Sequence, residues 1–275
     1  MKIVHTYRSG DNGLFVNSYL VESEEGVVIV DAPLLLSDGR ACRARLDALK
    51  KPVRAVLITH PHPDHYNTIT QLIAGSGDIP VVALRDVDRI LREQNDAKRN
   101  QWSPVFGAEW PDSVTFPNTI VPADKVYEAA GLHFIPHDLG PGESASGTVW
   151  ILQQEEDGES VAFIGDLVFN GTHAYVSDGM IQSWIDALSR AGALLDGIDT
   201  MYPGHGSPGR PTLLQAQKQY LLFLIEAVAN RTDSTGGLSP EAKAEVARLM
   251  EQFLPGAPLL WLIEAGLDAV ASEGR

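Results

Sequence analysis

Thr59-His60-Pro61-His62-Pro63-Asp64-His65 places four metal-capable side chains within six residues, directly after the apolar run 53–59 (VRAVLIT). The run is rich in β-branched residues and stops at the first histidine. It therefore predicts a buried strand that delivers the cluster to its tip. The residue before a proline is pushed out of the α region, so His60 and His62 are both held extended. Side chains two apart on an extended segment point the same way, and these two imidazoles can converge on one cation. Asp64 and His65 follow Pro63, which suits a first helical turn and lets them face a second cation. The cluster reads as a metal site.

Outward from that stretch, the chain reads as an ordinary water-facing globule. Of its 275 residues 44% are hydrophobic and 21% charged, enough for a sizeable core. A net charge of −15 opposes a phosphate-backbone partner, so no nucleic-acid role is expected. No apolar run approaches the roughly 18–20 residues that span a bilayer, and no membrane partner is expected. MKIVHTYRSG lacks the apolar core of a signal peptide. Cys42 is the single cysteine, which excludes an intramolecular disulfide and suits a reducing, cytoplasmic setting. It reads as buried filler.

Strands are predicted at 14–22, 26–31, 53–59, 80–84, 125–135, 147–153, 160–165 and 199–202. Helices are predicted at 38–50, 64–74, 85–94, 180–196, 212–230, 239–254 and 258–273. Between them, 95–123 carries Pro104, Pro111, Pro117 and Pro122 with Trp102, Phe106, Trp110 and Phe116 interspersed, and reads as a long irregular segment. Such a segment is a binding loop or an aromatic-stapled surface loop. Strand-rich halves that each close with helices predict sheets stacked face to face with helices outside. Residues 1–210 would form the catalytic domain, and 211–275 a helical extension packed on it. The apolar stretches YLLFLIEAVA and APLLWLIEAGL suit either a homodimer interface or packing against the core.

Two further positions repeat the logic of the first cluster. Asp166 ends the apolar run VAFIGD, and His205 stands in YPGHG after a short strand. Each has an apolar strand, a small residue for clearance, then a candidate ligand. HxHxDH after a strand, a later GD, a PGHG and the opening VNSYLVESEEGVVIVDAP (16–33) together resemble the metallo-β-lactamase superfamily. The resemblance implies an α/β (α+β) fold, a four-layer αββα sandwich of two mixed β-sheets flanked by helices. It implies that His60 and His62 bind one metal, that Asp64, His65 and His205 bind a second, and that Asp166 bridges them. Asp64 is carried over as a catalytic residue too, beside a metal-bound hydroxide as nucleophile. Two divalent cations about 3.5–4 Å apart acidify a bridging water and polarise a carbonyl.

One position departs from the family. Its usual third histidine for the first metal falls in Gly140-Pro141-Gly142-Glu143-Ser144, where Glu143 takes the histidine's place or merely caps the turn. The family implies two divalent ions, zinc first; a carboxylate ligand shifts preference toward manganese or iron. His137 is a fallback ligand. His173 and Tyr175, in VFNGTHAYVSDG, are candidate substrate contacts at the mouth of the site. Asp31 would either accept a hydrogen bond from a ligating histidine or start the next turn. His5 and His133 fit ordinary strand positions.

The chain has neither a phosphate-cradling GxxxxGK[ST] loop nor a GxSxG nucleophile elbow, which leaves activated water as the attacker. The reading that follows is a metal-dependent hydrolase of a small thioester, lactone, ester or amide. The alternatives are a mononuclear-iron, sulfur-dioxygenase-like oxidoreductase, or a non-catalytic metal- or ligand-binding module with a decayed site.

Overall fold

The computed structural model describes residues 2–153 and 159–273. The first half builds a six-stranded sheet from β1 (Ile3–Arg8), β2 (Asn17–Glu22), β3 (Val27–Val30), β4 (Val53–Leu57), β5 (Val81–Leu84) and β6 (Thr119–Val121), in that order across the sheet. β1, β2 and β3 pair antiparallel, and β3 through β6 pair parallel. Helices α1 (Leu36–Ala48), α2 (Ile69–Ile73) and α3 (Arg85–Phe106) supply the connections.

The second half builds a five-stranded sheet from β7 (Tyr127–Ala129), β8 (Leu132–Gly140), β9 (Gly147–Leu152), β10 (Val161–Asn170) and β11 (Thr200–Gly206), ordered β11-β10-β9-β8-β7. Its helices are α4 (Ile181–Leu194), α5 (Thr212–Ala229), α6 (Pro240–Phe253) and α7 (Leu260–Glu273).

Strand period sorts the core into layers. Tyr19, Val21, Val28, Val30 and Leu57 meet Phe134, Trp150 and Phe163 between the sheets. The alternate residues Leu20, Ile29 and Val56 pack outward with Cys42 and Leu46. On the far side, Ile164 and Val168 join Trp184, Leu221, Val246 and Ile263. Both faces of the central strands are apolar, and so they read in sequence as unbroken runs rather than alternations. The αββα sandwich follows, with α5, α6 and α7 sharing one buried cluster with α4 and the second sheet.

Four local expectations change. Residues 95–106 are not irregular, because α3 runs unbroken to Phe106. Pro104 lies in its last turn and removes one backbone hydrogen bond there. Packing of Trp102 and Phe106 against Leu34, Leu35 and Trp110 holds that turn. Residues 64–74 do not form one helix. The Asn67 amide donates to the Leu34 carbonyl at 2.9 Å and the Thr68 hydroxyl to the Pro33 carbonyl at 2.6 Å, and such bonds compete with helical ones. The strand expected at 125–135 is a hairpin, turning at Ala130 (φ 55°) and Gly131 (φ 66°) as a two-residue I′ loop requires. Finally, β10 continues through Asp166 to Asn170, with register shifts against β11 on both sides of Gly165. Irregular pairing at this point re-aims the Asp166 side chain.

Candidate metal centre

The ends of β3 and β4, the β8–β9 turn, the shifted segment of β10 and the end of β11 converge at one edge of the two sheets. His60, His62, Glu143 and Asp166 bring one potential ligand atom each within 4.8 Å of one another, and so do Asp64, His65, Asp166 and His205. Asp166 belongs to both groups. Its Oδ2 lies 3.7 Å from His60 Nε2 and 3.3 Å from His205 Nε2, while Oδ1 lies 3.3 Å from His65 Nε2. Glu143 approaches His62 Nδ1 to 3.2 Å and His60 Nε2 to 3.8 Å. Asp64 Oδ2 stands 3.2 Å from His205 Nε2.

Each imidazole has one nitrogen fixed by the surrounding protein and the other turned inward. Thr59 Oγ1 meets His60 Nδ1 at 3.0 Å, Asp178 meets His62 Nε2 at 3.0 Å, Asp31 meets His65 Nδ1 at 2.8 Å, and the Leu14 carbonyl meets His205 Nδ1 at 2.8 Å. The inward atoms His60 Nε2 and His65 Nε2, both Glu143 carboxylate oxygens and Asp166 Oδ1 are buried without a hydrogen-bond partner. Buried polar atoms are normally paired, and several orphans facing one another is the arrangement a cation satisfies. The donor set of imidazole nitrogens and carboxylate oxygens fits divalent first-row metals, so the clusters are able to hold metal ions.

Burial would lower His62, His65 and His205, but the carboxylates outweigh it. Glu143 and Asp178 raise His62 to about 10, Asp166 and Asp64 raise His205 to about 10, and Asp166 and Asp31 hold His65 well above its ordinary value. In this structure these three imidazoles and the carboxylates therefore neutralise one another. Burial would raise Asp166, but His205, His65 and His60 outweigh it and hold the carboxyl well below the usual range. Burial pushes Glu143 up to about 7, with Asp166 and Asp178 adding to it and His62 opposing. Burial and then the neighbouring His65 keep His60 well below its ordinary value, so it stays neutral with a lone pair available.

Close packing leaves little freedom. A Cβ on Gly204 would collide with Asp166 Oδ1 and come within 2.7 Å of His65 Cε1. Gly165 (φ 50°) similarly lies against Thr59 and His60.

Tyr175 lines the cavity above the cluster, and its hydroxyl donates to Asp178 Oδ1 at 3.2 Å. His173 does not reach the cavity. It is fully buried, with Nδ1 at 2.9 Å from the Tyr220 hydroxyl and its backbone N–H on the Pro258 carbonyl. Apolar burial beneath α5 and α6 turns it away from the mouth. His137 pairs instead with Asp124 at 2.7 Å. Of the two roles open to Asp31, the hydrogen bond to His65 is made. Asp31 also accepts from the Thr59 backbone N–H and hydroxyl. Asp178, Lys98 and the Leu14 carbonyl were not singled out from the sequence. Asp178 lies in the loop that drew notice for His173 and Tyr175, and nothing local marks it as the partner of a histidine 116 residues away.

Residues 11–205 match the model of the metallo-beta-lactamase superfamily. The chain belongs to that superfamily. A hydroxyacylglutathione hydrolase from Glaesserella parasuis serovar 5 (strain SH0165) is 26% identical over 187 residues, which cover 68% of this chain. The match spans 64% of that hydrolase's length. Among solved structures, a metallo-beta-lactamase from Pontibacter korlensis superposes with a TM-score of 0.58 at 21% identity, over 80% of this chain and 94% of that one. An inverting sec-alkylsulfatase from Pseudomonas sp. gives 0.63 at 19% identity, over 97% of this chain and 48% of that one. These structural likenesses establish the superfamily fold. The sulfatase match extends it over nearly the whole chain, α5–α7 included.

Proposed function

We propose that this superfamily member is a metal-dependent hydrolase of small thioester, lactone, ester or amide substrates. The observation that carries the reading is the set of four histidines, each with one nitrogen anchored and the other turned onto the carboxylates of Asp64, Glu143 and Asp166, of which Glu143 and Asp166 have buried oxygens without a hydrogen-bond partner. In the proposal His60, His62 and Glu143 hold one divalent ion, Asp64, His65 and His205 a second, and Asp166 lies between. Bound divalent ions supply an acidified water and polarise a carbonyl. Zinc is the family's usual ion; the carboxylate of Glu143 favours manganese or iron more than a third histidine would.

The chain's own residues do the rest. Asp64 lines the cavity; burial would raise it, but His65 and His205 outweigh that and keep it ionised, so it presents an acceptor oxygen to the floor of the cavity. Tyr175 closes the cavity over His62 and keeps its own proton, because burial and Asp178 raise its pKa. His62, Asp64, Asp166 and His205 form the polar floor of the cavity, where a carbonyl must lie. A mononuclear-iron oxygenase reading has less support, because Asp64, His65 and His205 form a complete second group beside the first.

Elemental analysis of protein purified without added metal, paired with a thioester, lactone and ester screen, tests the proposal. Two metals per chain and metal-dependent turnover are expected. Metal without turnover across all three classes would leave a binding module. One iron with thiol-dependent oxygen uptake would make the chain an oxidoreductase. No helix of the described residues is long and apolar enough to cross a membrane. A cytoplasmic setting, a small-molecule substrate and a homodimer remain part of the proposal, although the apolar faces of α5–α7 pack on the core.

A further inference from the structure

Above the ligand cluster lies a cleft open to solvent whose floor is His62, Asp64, Asp166 and His205. Its walls are Leu14, Leu34, Trp102, Phe106, Phe169 and Leu262. The wall does not end inside. Trp102 sits 6.1 Å from Phe106 and 6.4 Å from Trp261, ring centre to ring centre, and Phe106 stacks on Trp110 at 6.2 Å. Trp261 is 42% exposed. An apolar, largely aromatic surface therefore runs from solvent to the candidate metal centre.

Apart from the ions of the proposed centre, the cavity has little to offer an anion. Among the described residues that line it, Lys98 is the one lysine or arginine, and its Nζ already lies 3.2 Å from the Asp178 carboxylate. The chain carries a net charge of −15, which disfavours anionic substrates further. A glutathione conjugate brings two carboxylates and, among the described residues lining the cavity, would find no unpaired lysine or arginine for either.

Resting on the hydrolase reading, we infer that the substrate is an uncharged ester, lactone or thioester bearing an apolar tail of medium length. Its carbonyl lies on the His62–Asp64–His205 floor, and its tail runs along Trp102, Phe106 and Leu262 toward Trp261. Trp102 and Leu262 are specificity residues in this assignment. Burial of each added methylene favours binding by about fourfold at most, and partial burial with loss of chain freedom reduces that.

Two measurements on the metal-loaded protein test it separately from hydrolysis. In the first, methyl ketones of increasing chain length, carbonyl compounds that cannot be hydrolysed, are titrated by tryptophan fluorescence. In the second, kcat/KM is compared for acetyl, butyryl and octanoyl nitrophenyl esters and a hydroxyacylglutathione. The ketone Kd should fall on the order of tenfold or more from propyl to heptyl, and kcat/KM should rise similarly from acetyl to octanoyl. Trp102→Ala and Leu262→Ala should each lower the octanoyl-to-acetyl ratio on the order of tenfold. Chain-length dependence of ketone binding without turnover of any ester would keep the apolar site and sink the hydrolase reading. Turnover with flat chain-length dependence, or with the glutathione thioester preferred, would overturn the apolar-tail inference and leave hydrolysis standing.

Discussion

Asp178 accepts a hydrogen bond from His62 Nε2 at 3.0 Å and thereby turns the other nitrogen of that ring, Nδ1, onto Glu143 at 3.2 Å. Without that carboxylate the ring is free to rotate and to change tautomer. Lys98 and Tyr175 brace Asp178 from the far side, both at 3.2 Å.

Asp178→Ala should therefore weaken metal binding at the His60–His62–Glu143 group by about 10–100-fold. Competition with a graded chelator series, read as metal retained per chain, measures it. Asp178→Asn, which still accepts through its amide oxygen, should recover part of the loss. Equal metal retention by wild type and Asp178→Ala would mean that the bond orients nothing.

Glu143→His should change which metal is kept more than how much. An all-nitrogen partner set for His60 and His62 favours zinc over manganese, so the zinc-to-manganese ratio after growth in an equimolar mixture should rise. Glu143→Gln removes the charge but keeps the shape, and should lower retention of either metal in that group. If neither substitution moves the ratio or the retention, Glu143 only caps its turn.

Gly204→Ala should cost more than the usual loss of backbone freedom, because the added methyl overlaps the Asp166 carboxylate and presses on His65. A destabilisation on the order of 1–3 kcal/mol is typical of overpacking in a close-packed site. The decisive readout is metal content, which should fall along with denaturant stability. Stability lost with metal content intact would place the strain elsewhere.

His173 supplies a pH dependence. Its pKa is lowered from the ordinary 6.5, by burial first and against the pull of Glu251. The unfolded chain then binds the proton more readily than the folded one. Stability rises with pH across the window between the lowered pKa and 6.5, and is lost as pH falls through it. The variant His173→Gln should show a shallower fall in stability between neutral pH and pH 5, in urea unfolding at matched metal content. Parallel curves for the two proteins would mean that the imidazole does not titrate differently on folding.

Much of the centre was legible because its signals are local. Two prolines hold His60 and His62 extended, apolar runs stop at Asp166 and His205, and Glu143 stands in a glycine turn; all of these are features of a few adjacent residues. The layers were legible for the same reason, since strands buried on both faces must be apolar at every position.

The anchors that aim each imidazole were less so. Asp31, Asp178 and the Leu14 carbonyl lie 34, 116 and 191 residues from the rings they hold, and only Asp31, at a strand end, carries a local signal. His173 looked like a mouth residue by its position in the loop, yet packing beneath α5 buried it against Tyr220. The sequence by itself determined which side chains are chemically fit to bind a metal and which strands carry them. Only the tertiary structure decided which nitrogen each histidine presents, that Lys98 is paired with Asp178, and that an aromatic wall stands above the centre. Those depend on distances between elements far apart in the chain, which local composition and spacing do not encode.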